Sequence, residues 1–155
     1  MSPWILVAGC ATAAVVAGLL LMRRGFIVVQ VTGTSMCPAL MPGDRVLVRR
    51  GVRHELRAGL IVVFGHPRDE CMAWDIDAPP ARNRWVIKRV AAVPGDMVPD
   101  VARPAVGGAV VVPPGMLVVL GDNVGSADSR SWGFLPSADV RGVAVRRLRP
   151  SSRVG

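Results

Sequence analysis

The sequence predicts a mostly β domain, antiparallel and barrel-like, carried behind one N-terminal transmembrane helix. Three observations predict it. Short runs rich in β-branched residues recur between residues 26 and 147, Pro-Gly pairs punctuate them, and a long uncharged stretch precedes them all.

The uncharged stretch is Trp4–Met22, 19 residues followed by Arg23-Arg24. At helical rise it crosses a bilayer core, it is apolar on every face, and it exceeds the apolar region of a cleaved signal peptide. We therefore read residues 1–25 as a single membrane anchor and not as a buried core helix. The two arginines on its C-terminal side would, by the positive-inside rule, hold the remaining chain in the cytoplasm. Val7-Ala-Gly-Cys10 matches a lipoprotein cleavage box by chance: the apolar stretch before the cysteine is too short and no basic residue opens it.

The β-rich domain is expected over residues 26–149. Its strands read as Phe26–Val31, Arg45–Val48, Leu60–Phe64, Trp85–Val93, Val110–Val112, Met116–Leu120 and Val140–Arg147. Pro42-Gly43, Pro94-Gly95 and Pro114-Gly115 separate them, proline presetting φ and glycine accepting the positive φ that a type II turn requires. Residues 67–83, polar and Pro-rich, read as a loop, and residues 150–155 as a flexible tail.

Composition narrows the classes of function. The chain has 155 residues, 51% of them hydrophobic, and a net charge of +8, which suits an anionic partner such as a lipid surface or nucleic acid without choosing between them. The three cysteines, Cys10, Cys37 and Cys71, have no CxxC spacing and no companion histidines, so no metal site is expected; a Cys37–Cys71 bridge stays open.

One residue type stands out. Lys88 is the single lysine beside 18 arginines. Arginine keeps its proton in proteins, whereas a desolvated lysine can lose it and act as a base. Strand alternation places Val86, Lys88 and Val90 on one face, where apolar neighbours would lower the lysine pKa; periodicity alone also allows an edge-strand lysine that reaches solvent. A base needs a nucleophile, and Gly33-Thr-Ser-Met-Cys-Pro-Ala-Leu-Met-Pro-Gly-Asp44 places Ser35 on a connection between two strands, where its hydroxyl can meet a substrate or simply make a turn. Gly121-Asp-Asn-Val-Gly-Ser-Ala-Asp-Ser-Arg-Ser-Trp-Gly133 then offers Ser126, Ser129 and an Asp128–Arg130 pair in what is otherwise a solvated loop. A Ser–His–Asp triad through His54 or His66 has no distinctive setting, and Cys37 has no base beside it.

Taken in order, Ser-Met-x-Pro, Lys-Arg-Val-x-x-x-Pro-Gly-Asp and Gly-Asp-Asn…Ser-x-Asp-Ser-Arg-x-x-Gly resemble the motifs of type I signal peptidases over roughly residues 26–147, the last motif being the most specific. The resemblance implies a membrane-bound Ser–Lys serine endopeptidase that removes signal peptides from exported preproteins and needs no cofactor. It implies Ser35 as nucleophile, Lys88 as general base, Ser126 as the hydroxyl that orients the lysine, and Asp128, Arg130 and Asp122 as supporting residues. Ser35 and Gly33 fall at the oxyanion positions, and Met36, Leu40, Val86 and Ile87 at the walls of the substrate pockets, though alternation explains these four equally as core. It further implies a single-pass protein of the cell membrane with its catalytic domain on the extracytoplasmic side, against the arginine rule above. Signal peptides and membrane lipid are then the partners, and nucleic acid is not.

Three positions depart from the family pattern. Gly33 stands where many members carry a serine, Gly59-Leu60 lacks the usual turn aspartate, and the spacing from Asn123 to Ser126 is one residue short. Two other readings fit the composition: a Ser–Lys protease that matures one dedicated substrate, and a non-catalytic basic β-barrel that binds anionic lipid or nucleic acid.

Overall fold

The computed structural model describes residues 25–52, 55–65 and 85–148. The expected anchor at Trp4–Met22, the 67–83 loop, the tail, Cys10, Cys71, His54 and His66 lie outside the described residues. Among the described residues no helix is long and apolar enough to cross a membrane.

Seven strands form the domain: β1 (Phe26–Gln30), β2 (Arg45–Arg50), β3 (Ile61–Gly65), β4 (Trp85–Ala92), β5 (Met116–Leu120), β6 (Leu135–Pro136) and β7 (Val140–Leu148). They make one antiparallel sheet in the order β1-β2-β7-β3-β4-β5-β6. The edge strands β1 and β6 do not pair with each other, so among the described residues the sheet is open where a closed barrel would have no edge.

The Pro-Gly turns are as the sequence predicts. Gly43, Gly95 and Gly115 have φ of 92°, 89° and 76°. Each turn is closed by a backbone bond, Asp44 N–H to Met41 O at 3.0 Å, Asp96 N–H to Val93 O at 2.9 Å and Met116 N–H to Pro113 O at 3.2 Å. Val110–Val112 is the strand that fails. Only an isolated bridge, Met97 with Val111, forms there, because Gly107-Gly108 on one side and Pro113-Pro114 on the other leave too little chain to extend a ladder. Elements absent from the sequence reading are β6, the 3-10 helices Asp100–Val106 and Ser137–Asp139, and the short helix α1 (Ser129–Trp132), which sits inside the supposed loop.

The centre of the sheet is covered on both faces. Val62, Phe64, Val90, Val119 and Val143 belong to one core cluster, and Val46, Val48, Val63 and Ile87 to another. That explains why β3 is apolar without alternation, since a strand buried on both faces has no solvent side to mark. β4 runs through the middle of this arrangement, paired with β3 and β5, and Lys88 lies opposite Val62.

Candidate active site

Ser35 sits on the connection from β1 to β2. The base of that connection is tied by Val31 N–H to Asp44 O and Gly43 N–H to Val31 O, both 2.8 Å. Asp44 accepts from Met41 N–H at 2.7 Å and pairs with Arg147 on β7 at 2.9 Å, which fixes the turn to the sheet. Inside the connection Met36 and Leu40 are buried with Ile87, and they hold Ser35 half-exposed at the surface above them. Val86 faces the opposite cluster. The structure thus brings Met36, Leu40 and Ile87 together and leaves Val86 on the far side of β4.

Lys88 is only 4% exposed. Its Nζ donates to Ser126 Oγ at 2.5 Å. Loss of water disfavours the ammonium; the nearby Asp128 carboxylate favours it and the Arg130 guanidinium disfavours it again, and the sum holds the pKa of Lys88 below its ordinary value. The Ser35 hydroxyl makes no hydrogen bond to another described residue.

What joins the two is the segment 121–130. Asn123 N–H donates to Ser35 O at 3.0 Å and Asn123 Nδ2 to Thr34 O at 3.3 Å, while Asn123 O accepts from Ser126 N–H at 3.1 Å. The loop that holds the lysine's partner is therefore stitched to the loop that holds the serine. Arg89, the neighbour of Lys88, grips Asp122 with two bonds of 2.8 and 2.7 Å and reaches Gly59 O at 2.9 Å, which ties the start of the segment to β4. Sequence reasoning named Asp122 but not Arg89 or Asn123; both lay in the quoted motifs, and their geometry was the missing signal.

Asp128 braces the other end. It is fully buried and accepts from Arg130 Nε and Nη2 at 2.8 and 2.6 Å, from Arg130 N–H at 3.1 Å and from Gly121 N–H at 2.7 Å. Burial alone would push this carboxyl up, but the donors outweigh it and hold it below the usual carboxylate range. It also caps helix α1, and the buried Ser129 hydroxyl accepts from Val119 N–H at 2.9 Å, locking the helix onto β5.

Gly121 is where these parts meet. A Cβ there would overlap Ser126 Oγ, lie 2.5 Å from Ser126 Cβ and 2.6 Å from the Ser35 carbonyl oxygen. Only glycine lets the two loops approach so closely. Gly121→Ala is expected to lower the cleavage rate about a hundredfold, the effect of a displacement of roughly 1 Å among reacting groups, while costing about 1–3 kcal/mol of stability. Peptidase assays with a thermal melt on the same sample check both. By contrast a Cβ at Gly33 meets nothing within 4 Å, so the absent side chain is not excluded by crowding.

Chemically, the site offers a buried amine beside the Ser126 hydroxyl, on a frame of ion pairs, in a segment bonded to the loop that carries Ser35. Among the described residues no cluster of His, Cys, Asp or Glu could hold a metal ion. Cys37 is free and half-buried.

Comparison with known proteins gives a family match, sequence relatives and a structural neighbour. The family model described as signal peptidase, peptidase S26, matches residues 3–102 and 99–148. A probable signal peptidase I-1 from Synechocystis is 32% identical over 99% of this chain and 88% of its own length. A mitochondrial ATP-independent inner membrane protease subunit 1a from Arabidopsis thaliana is 33% identical over 81% of this chain and 71% of its own. The crystal structure of a signal peptidase I from Enterococcus faecalis aligns at a TM-score of 0.41 and 24% identity, over 58% of this chain and 97% of that one.

Proposed function

The chain belongs to the S26 signal peptidase family and is a serine endopeptidase, and on that premise we propose that it removes signal peptides from exported preproteins with Ser35 as nucleophile and Lys88 as base. The observation that carries the assignment is Lys88 itself, almost without water and hydrogen-bonded to Ser126.

In this reading neutral Lys88 takes the proton of Ser35 Oγ as that oxygen attacks the scissile carbonyl. The resulting ammonium gives the proton to the leaving amine, and the lysine, neutral again, draws a proton from the water that attacks the acyl group and returns it to Ser35 Oγ as the acyl product leaves. Ser126 holds the lysine side chain in line throughout. The developing oxyanion is met by backbone N–H groups such as that of Ser35, since Gly33 brings no hydroxyl. Substrate enters as an extended strand beside the free edge of β1. Met36, Leu40 and Ile87 form the floor beneath small side chains next to the cut, whereas Val86 packs on the opposite face of β4.

Residues 1–25 anchor the chain in the membrane, with the catalytic domain on the extracytoplasmic side where preproteins emerge. The same chemistry would also serve a protease that matures one dedicated substrate. A panel of unrelated preproteins separates the two, since a dedicated enzyme cleaves one member and a general one cleaves several.

The base assignment is tested by pH. Because burial favours the uncharged amine, kcat/KM for a preprotein is expected to rise with pH along an acidic limb whose midpoint lies below the ordinary lysine value of 10.5. Activity then falls as acid protonates Lys88. A rate independent of pH, or a limb at the free-lysine position, would remove Lys88 from the chemistry.

A further inference from the structure

Separate from the residues assigned to the site is a cavity of about 600 Å3, lined in part by Arg49, Glu55 and Arg57 and by the more buried Val52, Leu60 and Val143. Its size falls within the roughly 300–1,000 Å3 of clefts that take small ligands. We infer that this groove holds the headgroup and first acyl carbons of an anionic phospholipid, a conclusion that rests on the anchored reading above.

Position is the first support. Phe26 stands opposite Arg49 in the β1–β2 ladder, and Arg49 stands opposite Val143 in the β2–β7 ladder. Cross-strand neighbours are about 5 Å apart, so the chain enters the fold beside the groove. The preceding residues are Arg23-Arg24 and, before them, the uncharged Trp4–Met22. The uncharged run ends at Met22, four positions before Phe26, so an anchor there would put the groove near the level of the headgroups.

Shape and charge are the second. The register of β2 with β7 slips between Leu47 and Val48, leaving Val145 unpaired opposite that step. Such an extra residue re-aims its side chain, and Val145 lines the cavity while remaining 48% exposed. A half-exposed valine presented by such a bulge is suited to contact with acyl chains. Glu55 is already paired with Arg49, whereas Arg57 has no ion-pair partner among the described residues. The lining therefore carries a net positive charge with one arginine available to a phosphodiester, and valine and leucine share the same cavity.

The test uses the full chain in a non-ionic detergent, titrated by calorimetry with dioctanoyl phosphatidylglycerol, dioctanoyl phosphatidylcholine and inorganic phosphate. Phosphatidylglycerol is expected to bind more tightly than phosphatidylcholine, and phosphate alone not to bind. Arg57→Gln should weaken phosphatidylglycerol about fivefold, the scale of one cationic contact at a membrane surface, and Arg57→Lys should restore most of it. Equal binding of the two lipids, binding of phosphate alone, or an unchanged affinity in Arg57→Gln would overturn the inference. Arg57→Gln should cleave preprotein in detergent at the wild-type rate, so the readouts separate. Cleavage without lipid preference removes the groove alone, and lipid preference without cleavage removes the proposed function alone.

Discussion

Lys88→Arg is expected to be as inactive as Ser35→Ala, each lowering preprotein cleavage by about 10^4-fold or more, the scale seen when a serine protease loses its nucleophile or base. The substitution keeps the charge and removes the chemistry. Guanidinium does not deprotonate in a protein, so an arginine at this position cannot accept the hydroxyl proton however well it is placed. It is also bulkier and permanently charged in a site that is 4% exposed, so Lys88→Arg by itself would confound loss of base with loss of fold. Lys88→Met separates them. Its shape is close and it carries no charge, so it is expected to be inactive yet at least as stable as the parent. The sign follows from the lowered lysine pKa: below that value the folded state holds a proton it disfavours, and the penalty fades as pH rises towards 10.5, where the lysine is neutral folded or unfolded. The stability gain of Lys88→Met should therefore be greatest at low pH and shrink in alkali. Cleavage by Lys88→Met or Ser35→Ala would remove the dyad outright.

The lysine was legible in the sequence for a physical reason. Arginine cannot shed its proton and a lysine flanked on its face by Val86 and Val90 can, but periodicity also left a solvent-reaching lysine open; the fold buries it. The turns were legible because Pro-Gly dictates φ at two successive residues, a local constraint that Gly43, Gly95 and Gly115 obey. Long-range order was not legible. β7 lies between β2 and β3, and that placement depends on ladders whose registers are broken by bulges, which local patterns do not encode. Alternation could not say whether Met36, Leu40 and Ile87 line a pocket or fill a core, because a sheet centre covered on both faces has no polar side to compare. The demand on Gly121 was invisible for a related reason. It has no left-handed φ to announce it and is required only because Ser126 and Ser35, far apart in the chain, converge on its missing side chain.

Removal of Asp128 is expected to unmake the site without touching either reacting group. This carboxylate is fully buried and satisfies four donors from Gly121 and Arg130, so Asp128→Ala leaves a buried N–H and a guanidinium without their acceptor. Breaking one side of such a pair costs about 3–5 kcal/mol, and loss of the cap on helix α1 is part of that sum. The functional loss follows from position. Gly121 N–H is released at the point where Ser126 and the Ser35 carbonyl meet, and Ser126 can no longer hold Lys88. Asp128→Asn is the sharper probe, since it keeps the shape but turns an NH2 towards groups that are themselves donors. The held-down carboxyl fixes the pH signature. Stability contributed by Asp128 is complete above the ordinary carboxylate value of 3.8 and is lost as pH falls through its lower folded value. The stability gap between wild type and Asp128→Asn, measured by denaturant unfolding, should thus be constant from about pH 5 to pH 8 and close in stronger acid. A gap that persists unchanged at pH 2 would mean that packing, and not the charge of this carboxylate, braces the loop.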